Sequence, residues 1–146
     1  YGLPTTIPNC SNNYGPRQDS EKMIPTIIRN VNNGTPIPVY GDGQQVRDWI
    51  YVEDHCDALI ELWVNGKVGE RYNIGGECEL KNIDLVNMIC KLMSKEDHPI
   101  EHVTDRPGHD LRYSTSNDKI TSETKWSVST DITTGLLKTI LYYEDH

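Results

Sequence analysis

Apolar positions along the chain follow two periods. Ile24, Ile27, Ile28 and Val31 recur at i, i+3, i+4 and i+7, which aligns them on one face of a helix ended by Asn33-Gly34. Pro25 is tolerable near its start, because first-turn N–H groups have no intrahelical partner. A second helix is expected after Asp54 as its cap, burying Ala58, Leu59, Leu62 and Trp63 and closing at Asn65-Gly66 and Gly69. A third is expected with Asn82 as N-cap and Ile83, Val86, Ile89, Cys90 and Met93 on one side. Asn117 offers a cap to a short helix holding Ile120, and Ile132, Leu136, Leu137, Ile140 and Leu141 mark a last one. Between the helices, residues 5–8, 38–41, 46–52, 71–76 and 100–103 read as short strands or extended segments with turns. Pro8 would sit awkwardly in a central strand. Residues 9–16 and 105–110 read as loops by composition. Strands alternating with helices predict an α/β architecture.

At 146 residues the chain is about one domain long. No apolar run is long enough to span a bilayer, so no membrane partner is expected. A net charge of −8 argues against nucleic acid, whose phosphates need clustered Lys and Arg. It leaves room for a small phosphorylated ligand in a locally cationic pocket. The four cysteines (Cys10, Cys56, Cys78, Cys90) are widely spaced without a CxxC, and four buried, reduced thiols of a cytoplasmic protein are expected. The start, Tyr1-Gly2-Leu3-Pro4, has no initiator Met and is neither basic nor apolar, so the chain is expected to begin inside a longer protein.

Several reaction centres are missing from these residues. A dinucleotide site needs glycines that open a helix and let the pyrophosphate reach backbone N–H groups. Neither GxGxxG nor GxxGxxG occurs, and no tyrosine is followed four residues later by lysine. A nucleophile elbow, a P-loop and HExxH are also absent.

What remains is a set of polar clusters. Ser11, Asn12 and Asn13 crowd donors together, although such residues also simply favour turns. Lys22 stands in the first turn of the first helix, where the dipole disfavours a cation; a nearby anion or plain solvation explains it. Arg47 precedes Asp48, but adjacent strand residues face opposite sides, so a phosphate-gripping guanidinium beside aromatics is the sharper reading. Asn82 is explained as a helix cap, and the cap still presents a helix N-terminus to an anion. Asp105-Arg106-Pro107-Gly108-His109-Asp110 is the densest cluster, suited to clamp a diphosphate or to hold a structural ion pair. His98, His102 and His109 do not make a metal site, because Pro99 breaks the helix that would align the first two.

Specific strings go further than these clusters. Asn9-Cys10-Ser11-Asn12-Asn13-Tyr14-Gly15-Pro16, Glu21-Lys22-Met23-Ile24-Pro25, the stretches 36–43 and 46–55, Tyr72-Asn73-Ile74-Gly75-Gly76, Lys81-Asn82 and the 105–110 loop resemble the extended short-chain dehydrogenase/reductase superfamily. Within it they are most similar to the dTDP-glucose 4,6-dehydratases, in the same order and over nearly the whole chain. Such a resemblance implies the C-terminal part of an extended Rossmann-type NAD(P)-binding fold, residues 1–146 forming a small mixed α/β nucleotide-sugar-binding portion. The NAD-binding N-terminal portion, with its glycine loop, Tyr-x-x-x-Lys pair and dehydration acids, would lie upstream. The implied reaction converts dTDP-glucose to dTDP-4-keto-6-deoxyglucose by NAD-dependent oxidation, water elimination and re-reduction. This piece alone would be inactive, with no catalytic residue of its own.

The resemblance also implies roles. Asn12, Lys22 and Met23 would contact substrate, and Pro38, Val39 and Tyr40 would line the base pocket. Arg47 and Asn82 would lie near the diphosphate, while Asp105, Arg106, Pro107, Gly108 and His109 would close over the nucleotide. Asn13 would sit near the nicotinamide end of NAD. The implied partners are a dTDP-hexose, the upstream Rossmann portion and, in the full-length protein, a second copy in a homodimer. The segment between Met93 and Ile100 is shorter than in bacterial members. Another nucleotide-sugar epimerase, GDP-mannose dehydratase or UDP-sugar decarboxylase, or a stand-alone binding module, remain the alternatives.

Overall fold

The computed structural model describes residues 2–145, which form a mixed α/β unit built of three small sheets and five helices. Its hub is β4 (Val46–Tyr51), six residues buried from Arg47 onward. β2 (Asn12–Tyr14) pairs with it in parallel, Asn12 opposite Trp49, while β6 (Glu79–Lys81) runs antiparallel and β8 (Arg112–Tyr113) parallel to its first half. Two further parallel pairs flank this sheet: β1 (Ile7–Cys10) with β5 (Arg71–Ile74), and β3 (Ile37–Tyr40) with β7 (Ile100–Val103). Pro8 is accommodated because β1 has a single neighbour in its sheet and needs donors on one side only.

α1 (Met23–Asn33), α3 (Asn82–Leu92) and α5 (Ile132–Asp145) enclose the larger apolar core, which includes Ile24, Ile27, Ile28, Val86, Ile89 and Leu136. Burying each such side chain contributes roughly 1.5–3 kcal/mol. Tyr14 stands edge-on to Trp49 and Tyr51, with ring centroids 6.4 and 5.7 Å apart. A second core joins α2 (Val52–Asn65) and α4 (Asp118–Glu123) through Ile50, Ala58, Leu62, Tyr72, Ile74, Ile120 and Trp126. Gly76 passes so close to β4 that a Cβ there would overlap the Trp49 carbonyl.

Local signals misplace several details. The turn-rich residues 12–14 form a strand, because β4 offers them a parallel ladder and Tyr14 is buried on it. The caps shift by a residue or more. Tyr51 is the N-cap of α2, and Asp54, already inside the helix, is buried and instead accepts hydrogen bonds from Ser129 and Thr130. Lys81, not Asn82, is the N-cap of α3, and Lys22 is the N-cap of α1 rather than a first-turn residue. Asn117 does cap α4 in position, but its side chain is spent on Gly75 and Glu77.

Two expected core faces are only half right. Leu59 and Trp63 on α2, the latter 86% exposed, point away from the core, and so do Leu137 and Leu141 on α5. These helices carry apolar residues on more than one face, so periodicity alone does not say which face is covered. β6 and β8 went unread because three and two residues are too few to show a period. The four thiols are not all buried: Cys90 is, Cys10 and Cys78 are half-buried, and Cys56 is exposed.

Candidate functional site

One cleft of about 350 Å³ gathers residues from six separate stretches of chain. Asn12 enters from β2, and Glu21, Lys22, Met23, Thr26 and Ile27 from the start of α1. Pro38, Val39 and Tyr40 come from β3, Arg47 and Trp49 from β4, and Asn82 from the first position of α3. Arg106 and His109 come from the loop after β7. Topology explains the convergence: β2 and β4 are paired strands, and the long loop after β7 folds back to place β8 against β4.

On a chain of net charge −8, this wall holds Lys22, Arg47 and Arg106 against the single carboxylate of Glu21. A concave cationic surface focuses potential and favours an anion. Arg47 is 8% exposed, and its Nη1 and Nη2 donate to the carbonyls of Val46 (2.7 Å) and Asp110 (2.9 Å). Both partners are neutral, so the positive charge stays uncompensated. Asp48 faces the other side of the strand and accepts from the N–H groups of Gly76 (3.0 Å) and Cys78 (2.9 Å). An Arg47–Asp48 pair is thereby excluded. Arg106 forms no ion pair among the described residues, since Asp105 is engaged by His109 Nδ1 at 2.7 Å and by Gln45 Nε2 at 2.8 Å. The His109 imidazole beside Asp105 holds that carboxyl below its ordinary range.

Helix ends contribute unequally. α1 has no side-chain cap and no acid in its first turn. Pro25 has no N–H and the Lys22 N–H is bonded to the Asp19 carbonyl, so the Met23 and Ile24 N–H groups are those without an intrahelical partner. At α3 the N–H groups of Asn82 and Ile83 are already taken by the Gln45 and Gly43 carbonyls, 2.9 and 3.0 Å away. The helix N-terminus expected there for an anion is therefore largely spent. Two buried polar atoms on cleft residues lack a partner among the described residues: the Trp49 indole Nε1 and the Asn82 Oδ1. One is a donor and the other an acceptor, and each is costly to leave unpaired.

Ten of the residues singled out from sequence line this cleft: Asn12, Lys22, Met23, Pro38, Val39, Tyr40, Arg47, Asn82, Arg106 and His109. Asp105 lies behind the wall, bonded to His109. Pro107 and Gly108 form the turn between Arg106 and His109, whose backbone closes with a His109 N–H to Arg106 carbonyl bond of 3.3 Å. Asn13 is next along β2; its Nδ2 donates to the Ser11 carbonyl at 3.2 Å and its buried Oδ1 has no partner among the described residues. Glu21, Thr26, Ile27 and Trp49 also line the cleft and were not singled out. Strand alternation held the signal for Trp49, two residues after Arg47 and so on the same face. His98, His102 and His109 each bond a different partner, namely the Thr35 carbonyl, the Gly41 carbonyl and Asp105.

Comparison with known proteins adds the following. The family model described as GDP-mannose 4,6 dehydratase matches residues 1–139. A dTDP-glucose 4,6-dehydratase of Escherichia coli is 49% identical over 154 residues, covering 98% of this chain and 42% of that protein. A crystal structure of dTDP-glucose 4,6-dehydratase from Bacillus anthracis in complex with NAD superposes with a TM-score of 0.94 at 44% identity, covering 99% of this chain and 46% of that one. The Streptomyces venezuelae dTDP-glucose 4,6-dehydratase, also with NAD bound, gives a TM-score of 0.96 at 39% identity, covering 99% and 45%. The chain thus spans under half the length of these relatives, and its mixed α/β fold matches the C-terminal part of the extended Rossmann-type dehydratase fold.

Proposed function

Because the chain belongs to the GDP-mannose 4,6-dehydratase family, we propose that it is the nucleotide-sugar-binding portion of a dTDP-glucose 4,6-dehydratase, residues 1–146 working with an upstream NAD-binding portion. One observation carries the reading: Lys22, Arg47 and Arg106 meet in a single cleft with no carboxylate among the described residues paired to either guanidinium. A diphosphate supplies the missing charge, and guanidinium N–H groups bond phosphate oxygens in pairs. Tyr40 and Pro38 give the base an aromatic and apolar wall, and Asn12 and Lys22 give sugar hydroxyls and phosphate their partners. The dTDP preference is supported by the 49% and 44% identities to enzymes of that name.

The described residues fit NAD at one point. The Asn13 Oδ1 is a buried acceptor without a partner among them, suited to the amide N–H of a nicotinamide carboxamide. When bound, NAD supplies the hydride uptake and return that no side chain here performs. This chain's part is positional. Arg47, Arg106 and His109 anchor the nucleotide end, so that binding energy remote from the reacting carbons orients the sugar.

An upstream portion is supported by α2, whose outer stripe Cys56, Leu59, Ile60 and Trp63 repeats at i, i+3, i+4 and i+7 and is exposed. Val64, Val68, Ile7 and Leu3 extend the same kind of exposed apolar surface. Such surface calls for a covering partner. A cytoplasmic homodimer is the setting we propose, and no described helix is long and apolar enough to cross a membrane. The test is turnover. A protein carrying this chain with its cofactor-binding portion, given NAD and dTDP-glucose, yields a 4-keto sugar nucleotide lighter by one water; a product of unchanged mass would make it an epimerase instead.

A further inference from the structure

We propose that Gln45, which does not itself line the cleft, is a positioning residue that sets His109 and Asn82 for the nucleotide ligand, an inference that rests on the nucleotide-binding reading above. Gln45 immediately precedes β4 and is 3% exposed. Its Nε2 lies 2.8 Å from Asp105 Oδ2 and 3.5 Å from the Tyr40 carbonyl, and its Oε1 lies 3.5 Å from Asn82 Nδ2. Its main-chain carbonyl accepts the Asn82 N–H at 2.9 Å. An ionised carboxylate only accepts hydrogen bonds, so Asp105 dictates which end of the amide faces it. The Gln45 oxygen is then turned to Asn82.

The other Asp105 oxygen makes the same demand on His109. It sits 2.7 Å from Nδ1, which must therefore carry a hydrogen, leaving Nε2 as the nitrogen free to meet a ligand. Asn82, with its amide N held toward Gln45, keeps Oδ1 unpaired and buried at the cleft. One buried amide thus orders two cleft-lining side chains that lie 37 and 64 positions away in sequence, the first by direct contact. Glutamine is the residue this needs. Glutamate would set two carboxylates against each other, and leucine would leave Asp105 Oδ2 without its donor.

Two readouts on the protein with its cofactor-binding portion test the idea. Without ligand, nitrogen-15 spectra of the imidazoles should show His109 as the Nδ1–H tautomer, and Gln45→Leu should mix the tautomers. With dTDP, calorimetry should give a Kd about tenfold higher in Gln45→Leu, as for loss of one charge-assisted bond. In a His109→Ala background the same change should cost clearly less than about tenfold, the remainder acting through Asn82, since Gln45 and His109 belong to one hydrogen-bond network through Asp105. Gln45→Glu, equal in shape, should weaken binding at least as much and supplies the test should the leucine variant not fold. An unchanged His109 tautomer, or equal losses in both backgrounds, overturns the proposal. If the unaltered protein does not bind dTDP, the nucleotide reading fails, and the ligand-free spectra still decide whether Gln45 positions His109.

Discussion

Arg47 and Asp110 are joined by a 2.9 Å hydrogen bond from the guanidinium Nη2 to the main-chain carbonyl, across 63 positions of sequence. That contact ties the loop after β7 to the central strand at its far end, while Asp105 ties it at the near end through Gln45. A guanidinium held by two neutral carbonyls is fixed in direction but keeps its charge for a ligand. Loop and strand therefore form one cationic wall.

Asp105 makes the near-end tether depend on pH. His109 first, then the Arg106 N–H and Gln45, hold its carboxyl below the ordinary value of 3.8. A depressed carboxyl stabilises the folded loop above that ordinary value and loses the effect as pH falls through the lower, folded one. Carbon-13 titration of Asp105 should show a midpoint under 3.8, with Arg106 amide exchange accelerating only below it. A midpoint at or above the ordinary value contradicts the tether.

Asp54 is a stability residue. It is 2% exposed and accepts from the N–H and hydroxyl groups of both Ser129 and Thr130, joining α2 to the segment that leads into α5. Replacement by Ala removes four charge-assisted hydrogen bonds to a buried carboxylate, at about 3 kcal/mol. Urea denaturation should show that loss, and a change under about 0.5 kcal/mol, the usual size at the surface, contradicts it.

Cysteine labelling reports on the outer face of α2. Burial pushes the Cys90 and Cys78 thiols up, so both react slowly, whereas Cys56 is exposed on the apolar stripe. In this chain alone Cys56 should be alkylated first. Joined to its cofactor-binding portion, it should be protected by at least about tenfold, the factor equivalent to about 1.4 kcal/mol of burial. Equal labelling in both forms would mean that α2 is not the contact.

Much of this was legible in the residues. The i, i+3, i+4, i+7 stripe of α1 gave both its span and its buried face, because only one face of that helix is apolar. α2 was legible as a helix but not in orientation, since Ala58 and Leu62 on one side compete with Leu59 and Trp63 on another. Polar clusters such as Arg47 and Arg106 stood out by charge. Gln45 did not, as its importance lies in partners 37 and 60 positions away that no local pattern connects. The Asp54 cap failed for a similar reason, its carboxylate finding Ser129 and Thr130, while Asn117 holds the expected cap position of α4 with its side chain bonded to Gly75.

In the proposed function this cleft holds a nucleoside diphosphate by its guanidiniums. Calorimetry with dTDP, comparing the unaltered protein with Arg47→Ala, measures that directly. Loss of a charge-assisted bond of about 1.5–3 kcal/mol should raise the Kd roughly ten- to a hundredfold while the fold is retained. Equal affinity in the two proteins would place the diphosphate somewhere other than beside Arg47 and contradict the assignment.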